Sequence, residues 1–212
     1  MIRLHHCHQS RSMRVLWMLY ELDLEFELVL HAFDRSLRDP AYLALHPAGR
    51  VPALEIDNGV IFESLGALAY LAGRHPDARL GGRGIDWLNW LNFGETISQH
   101  IAALTQQHIV LYPPEARSKV VCGIEAKRLE KTFAALNGRL TGRDYLLDDF
   151  SAADIAVGQA LYMGQHFVRL DPFMRLCDYY QRLAARPAFR RALPGQGDTL
   201  LYAQDFYEVP DG

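Results

Sequence analysis

Three short clusters hold the side chains most able to do chemistry: Ser10 and Ser12 on either side of Arg11, Val51-Pro52, and Glu63-Ser64. The two serines open a helical run, where a hydroxyl can donate one hydrogen bond to an anion beside free backbone N–H groups, or serve only as a routine cap. A proline entering a strand gives no N–H to the ladder. A cis bond at Val51-Pro52 would turn the Val51 backbone outward, where an extended peptide could pair with it as an added strand. The plainer alternative is that Pro52 begins an edge strand. Glu63-Ser64 lies where a hairpin turns into a helix, so free N–H groups and the positive end of the helix dipole face the adjoining cleft, and a carboxylate fits there. Serine and glutamate are also common at helix starts that bind nothing.

His5-His6-Cys7-His8 invites a metal reading, but alternation along a strand puts His6 and His8 on one face and His5 and Cys7 on the other. The four cannot converge without breaking the strand, and no closing ligand pair occurs elsewhere, so no metal is expected. One or two of these histidines are expected to line a cleft, and Cys7 reads as a small buried hydrophobe. Cys7, Cys122 and Cys177 are three in number with no C-x-x-C spacing, which suggests neither a disulfide framework nor a zinc site.

The elements that position these clusters follow from hydrophobic periodicity. Residues 2–7 read as a buried strand and 12–22 as a mostly buried helix; Phe26, Leu28 and Leu30 then alternate with Glu25 and Glu27, the period of a strand with one covered face. After an irregular stretch containing Asp39-Pro40, runs at 51–56 and 60–62 flank Asp57-Asn58-Gly59, a hairpin signal, and a helix from Glu63 or Ser64 buries Leu65, Leu68 and Leu71 before stopping near Gly73. The order βαβ-ββα is that of an α/β N-terminal domain over residues 1–76, followed by a breaker-rich linker at 77–84.

The rest reads as an all-α domain over 85–194 with a tail at 195–212. Leu88, Leu91, Ile97, Ile101 and Leu104 stripe a helix expected over 85–110, ended by Pro113-Pro114, and a second is expected over 115–140. Ser151 and Asp154 fit a capping box opening a helix that runs to about Phe167, and Asp171-Pro172 has the chemistry of another helix start, with its end before Arg186-Pro187. Tyr202, Phe206 and Tyr207 suggest that part of the tail packs back on the body.

With 212 residues, half of them hydrophobic and 22% charged, the chain can bury a sizeable core. A net charge of −3 and a pI near 6.3 create no positive field for nucleic acid or anionic lipid. Residues 1–8 lack the apolar core of a secretory signal, and no run approaches the ~20 apolar residues of a membrane span, so a cytoplasmic protein is expected.

Residues 10–17 (SRSMRVLW), residues 46–54 (HPAGRVPAL) and Phe62-Glu63-Ser64, in that order and spacing, resemble the cytosolic glutathione transferases, in particular their serine-type, theta-like bacterial or fungal members; the Ser151–Asp154 cap resembles that of their C-terminal domain. The resemblance covers nearly the whole chain. It implies a thioredoxin-like glutathione-binding domain, a helical domain that receives the second substrate, and a homodimer. It also implies glutathione as co-substrate, lying along Val51 before a cis Pro52, with its γ-glutamyl carboxylate on Ser64, Glu63 orienting the γ-glutamyl end, and its glycine carboxylate facing Arg50. A solvated surface role for Arg50 stays open.

A thiol of pKa about 8.5 is only a few per cent ionised at pH 7, and lowering that value by about two units takes about 2.7 kcal/mol. One hydrogen bond to a charged group supplies about 1.5–3 kcal/mol, so a single hydroxyl donor suffices. Alignment on Arg14 puts Ser10 at the serine-type catalytic position, with Ser12 the second candidate; His8 and Gln9 stand where many members have a proline-containing turn. Among Trp87, Trp90, Phe93, His100, Gln107, His108 and Tyr112, on or after the long helix, some are expected to line the electrophile pocket, although aromatic residues at helical spacing are mostly core or dimer contacts.

The resemblance implies transfer of glutathione sulfur to a small electrophile. Alternatives are a glutathione-dependent isomerase, a peroxidase or disulfide reductase of the same fold, or a non-enzymatic scaffold.

Overall fold

The computed structural model describes residues 1–82 and 84–209; Arg83 of the expected linker and the last three residues of the expected tail lie outside the described residues. Contacts divide the chain into two compact units, one formed by Met1–Gly82 with Ala185–Leu201 and the other by the rest of the described residues.

The first unit has the thioredoxin-like order expected: β1 Arg3–His6, α1 Ser12–Glu21, β2 Glu27–Leu30, a short α2 Pro40–Leu43, β3 Ala53–Ile56, β4 Gly59–Ile61 and α3 Ser64–Arg74. The sheet order is β2-β1-β3-β4, with β1 parallel to β2 and the other pairs antiparallel. Asp57-Asn58 form the hairpin turn, because Ile56 already pairs with Gly59, whose φ of +138° suits glycine alone. On one face Leu4 and Leu54 are wholly buried with Leu68 and Trp17. On the other, Leu37 and Tyr42 pack against Ala53.

The alternation expected across 25–30 is cut short. β2 begins at Glu27 and leaves Leu30 54% exposed, because it is an edge strand whose outer side has no neighbour. A helix that periodicity did not mark, α8 Pro187–Ala192, belongs to this unit: Phe189 meets Trp17 edge-on at 4.9 Å. The Arg186 guanidinium donates to both oxygens of Glu21 at 2.6 and 2.8 Å, the bidentate geometry that suits arginine.

The second unit is helical: α4 Ile85–Thr105, α5 Lys119–Arg139, α6 Ala152–Gly164 and α7 Met174–Ala184. The expected helix over 85–110 is regular only to Thr105, after which Gln106–Val110 widen into a π-turn. Leu88, expected in the buried stripe, is 51% exposed. The expected start at 115 moves to Lys119, where Ser118 Oγ caps by accepting from Val121 N–H at 3.3 Å. α6 stops at Gly164 rather than near Phe167. α7 starts after Asp171-Pro172, and its cap comes from another helix: Asn137 Oδ1 on α5 accepts from the Arg175 and Leu176 amides at 3.0 and 3.3 Å. The tail packs back within this unit, with Tyr202 and Tyr207 buried and the Tyr202 hydroxyl 2.8 Å from Thr105 Oγ1.

α4 and α6 approach closely at Gly94, where an added Cβ would lie 2.9 Å from Ala156 Cβ and 3.0 Å from its carbonyl carbon. Backbone cannot swing aside as a side-chain tip can. Gly94→Ala is therefore expected to destabilise by about 1–3 kcal/mol despite the helix preference for alanine, read as a lower denaturation midpoint. An unchanged or higher midpoint would show that the two helices separate without cost.

Candidate functional site

The three clusters meet at one end of the sheet, and the register explains why. Ala53 pairs with His5 and Leu54 with Ile61, so continuing each strand one or two residues beyond its ladder carries Val51-Pro52, Cys7 and Glu63 to the same edge, where β1 ends. The Val51-Pro52 bond is cis. β3 begins only at Ala53, so the Val51 backbone lies outside the ladder, with Val51 half-buried, Pro52 buried and Arg50 exposed. The Arg50 carbonyl is held by the Tyr42 hydroxyl at 2.7 Å.

Glu63 is the N-cap of α3 and Ser64 its first helical residue; the Glu63 side chain makes no cap bond, which leaves the first-turn amides to a ligand. Ser64 Oγ accepts at 3.0 Å from Arg14, whose guanidinium is wholly buried. That bond ties α1 to the start of α3 and puts a buried cation behind the place where a carboxylate is expected. Sequence reasoning used Arg14 only for alignment. The available signal was an arginine inside a run, Ser12 to Leu19, that otherwise reads as buried, since a charge so placed needs partners.

Between β1 and α1 the chain turns sharply, with Gln9 at φ +53°, in the left-handed region that favours glycine. Arg11, not either serine, is the N-cap residue of α1, and its side chain makes no cap bond. Ser10 is half-buried: its hydroxyl lies 2.8 Å from the Cys7 carbonyl and 2.7 Å from Ser12 Oγ, and accepts from Ser12 N–H at 3.2 Å. Ser12 is 0% exposed, with its hydroxyl 2.7 Å from His6 Nδ1 and accepting from Cys7 N–H at 3.2 Å. Of the two, Ser10 is the one with solvent-accessible surface.

The histidines separate as strand alternation requires. His5 turns to His31 at 2.8 Å and Glu55 at 3.0 Å, while His6 and His8 stack edge-on at 5.1 Å. Burial, with the nearby His8 adding to it, lowers the His6 pKa to about 3, so the ring is neutral at physiological pH. Burial, followed by Asp34, raises the Cys7 thiol to about 11, which makes it a poor nucleophile. Among the described residues no three His, Cys, Asp or Glu side chains gather as a metal site would, and no helix is long and apolar enough to cross a membrane.

Comparison with known proteins agrees along the chain. Residues 4–79 match the family described as glutathione S-transferase, N-terminal domain, and residues 100–187 match glutathione S-transferase, C-terminal domain. A glutathione S-transferase of Silene vulgaris is 30% identical over 205 residues, covering 87% of this chain and 92% of that protein. The maleylacetoacetate isomerase of Pseudomonas aeruginosa is 30% identical over 178 residues, covering 76% and 80%. The solved structure of a sphingomonad glutathione S-transferase complexed with glutathione is 28% identical, with a TM-score of 0.75, covering 90% of this chain and 96% of that one. A four-stranded sheet unit ending in a cis-proline edge, a helical unit, and matches that span both place this chain in the cytosolic glutathione transferase family.

Proposed function

We propose that the chain binds glutathione along Val51 and transfers its sulfur to a small electrophile, with Ser10 donating a hydrogen bond to the thiolate. The observation that carries the reading is the convergence of three complementary features at one sheet end: backbone outside the ladder before cis Pro52, an uncapped helix start at Ser64, and a half-buried hydroxyl at Ser10. In this reading the γ-glutamyl carboxylate lies on the Ser64 amide and hydroxyl, with Glu63 orienting the γ-glutamyl end and Arg50 meeting the glycine carboxylate. Ser12 stands behind Ser10.

The thiol proton leaves to solvent on binding. The sulfur lone pair then forms the new bond to electrophilic carbon as the leaving group departs with its electrons, or as a double bond takes up a proton. The protein lowers the cost of ionisation and orients the pair. Homodimeric assembly, a cytoplasmic setting and a domain division at 77–84 belong to the same proposal.

Retention on immobilised glutathione and heat on titrating free glutathione test the binding step directly. A chain that passes through the column and gives no heat would end this reading. The likeness to an isomerase favours a second reaction at the same site, reversible addition of the thiolate to a double bond. Following glutathione across a panel of electrophiles, peroxides and disulfides separates them, because transfer consumes it and isomerisation regenerates it.

A further inference from the structure

One arrangement of hydrogens satisfies all three short contacts that link Cys7, Ser10, Ser12 and His6. The Cys7 carbonyl lies 2.8 Å from Ser10 Oγ but 3.2 Å from Ser12 Oγ, so it takes the Ser10 proton. With that proton committed, the 2.7 Å contact between the two hydroxyls requires Ser12 to donate to Ser10. Ser12 then has no proton left, and its 2.7 Å contact with His6 requires Nδ1–H to be the donor. Backbone amides complete the set: Cys7 N–H reaches Ser12 Oγ and Ser12 N–H reaches Ser10 Oγ, both at 3.2 Å. Among these contacts each hydroxyl accepts two bonds and gives one.

The arrangement leaves His6 Nε2 without a proton, and that atom is buried with no hydrogen-bond partner among the described residues. A bare ring nitrogen is the more tolerable orphan, since an unpaired buried N–H is the rarer one in proteins. The ring stays neutral because it is 1% exposed and has His8 beside it; Asp198, 3.1 Å from His8 Nε2, is the acidic group acting in the other direction.

We propose that His6 and Ser12 are positioning residues forming a one-way hydrogen-bond chain, His6 to Ser12 to Ser10, which fills both acceptor sites of Ser10 and leaves its hydroxyl only a proton to offer. The proposal rests on the reading of Ser10 as the donor to glutathione sulfur. A serine hydroxyl can stabilise a thiolate by donating or a neutral thiol by accepting, and the two shift the equilibrium in opposite directions. With both lone pairs taken, only donation remains. On binding, the Ser10 proton exchanges the Cys7 carbonyl for sulfur, with no covalent bond made or broken. Polarisation along such a chain strengthens each bond by about 10–30%.

The test is the absorbance of bound thiolate against pH, together with the tautomer of His6 from nitrogen chemical shifts of the histidine-labelled protein. His6 is expected as the Nδ1–H form. Ser12→Ala and His6→Phe are each expected to raise the bound thiol pKa by about half a unit, and Ser12→Ala is expected to add nothing in a Ser10→Ala background because it acts through Ser10. An Nε2–H tautomer overturns the chain. So does an unchanged thiol pKa in Ser12→Ala while Ser10→Ala still raises it, an outcome that leaves the reading of Ser10 standing. No heat with glutathione, or no effect of Ser10→Ala, takes down that underlying reading and the chain with it. Should His6→Phe fail to fold, the tautomer and Ser12→Ala decide. A purely structural role would lower the melting temperature and leave the thiol pKa where it was.

Discussion

Alanine at position 10 is expected to raise the pKa of enzyme-bound glutathione by about 1–2 units while leaving glutathione bound. That rise is the energy of the single bond removed: a hydrogen bond to a charged acceptor contributes about 1.5–3 kcal/mol, and about 1.36 kcal/mol corresponds to one unit of pKa. The sign is fixed by which form the bond favours. Ser10 donates to the anion, so its loss disfavours the thiolate and the pKa rises. If the wild-type protein holds the thiol near 6.5, about three quarters is ionised at pH 7, and in the variant between about a quarter and about a thirtieth is. Rates of glutathione consumption at pH 7 fall in proportion and recover as pH is raised. Binding survives because the contacts proposed at Val51, Ser64 and Arg50 involve other parts of the peptide. Ser12→Ala should give the smaller shift, since its hydroxyl is wholly buried and reaches the cleft only through Ser10. If Ser12→Ala gives the larger one, the donor is Ser12.

The site was legible where recognition depends on local backbone. A proline at a strand entry, a Glu-Ser at a hairpin-to-helix junction and a Ser-x-Ser at a strand-to-helix turn each state their geometry within a few residues, and the structure brings them to one sheet edge through the β1–β3–β4 register. Strand alternation also separated His5 from His6 correctly. Tertiary partners were not legible. Nothing near Ser12 in sequence marks His6 as the group its hydroxyl meets, and nothing near Arg14 marks Ser64, fifty positions away, as its acceptor.

The same division runs through the fold. Periodicity found α1, α3, α4 and α5, but assigned Leu30 and Leu88 to buried faces they do not occupy, because period alone says which side chains share a face and not what covers it. The α7 start was placed at Asp171-Pro172 by local cap chemistry. Asn137, nearly forty residues earlier, supplies the acceptor.

The capping box at Ser151 was readable from its spacing, yet its acidic member does far more than cap, and Asp154→Ala is expected to be the most destabilising single change considered, costing about 3–5 kcal/mol. Asp154 is wholly buried. One carboxylate oxygen accepts from Leu146 N–H at 3.0 Å and the Tyr179 hydroxyl at 2.9 Å, the other from Ser151 N–H at 2.8 Å and the Ser151 hydroxyl at 3.3 Å. It thereby joins the start of α6 to the loop at Leu146 and to α7. Burial pushes the carboxyl above its ordinary pKa while these four donors pull against that rise. Alanine removes every acceptor at once and strands two backbone N–H groups and a phenol in a dry site, each worth about 1–3 kcal/mol before relaxation. Asparagine keeps the shape and one acceptor oxygen but turns an N–H₂ toward Ser151 N–H, so it should fall between wild type and alanine. Denaturant unfolding of the three proteins checks that order. A loss below about 1 kcal/mol for alanine would mean that water enters to satisfy the stranded donors, and that α6 and α7 are held together by apolar packing alone.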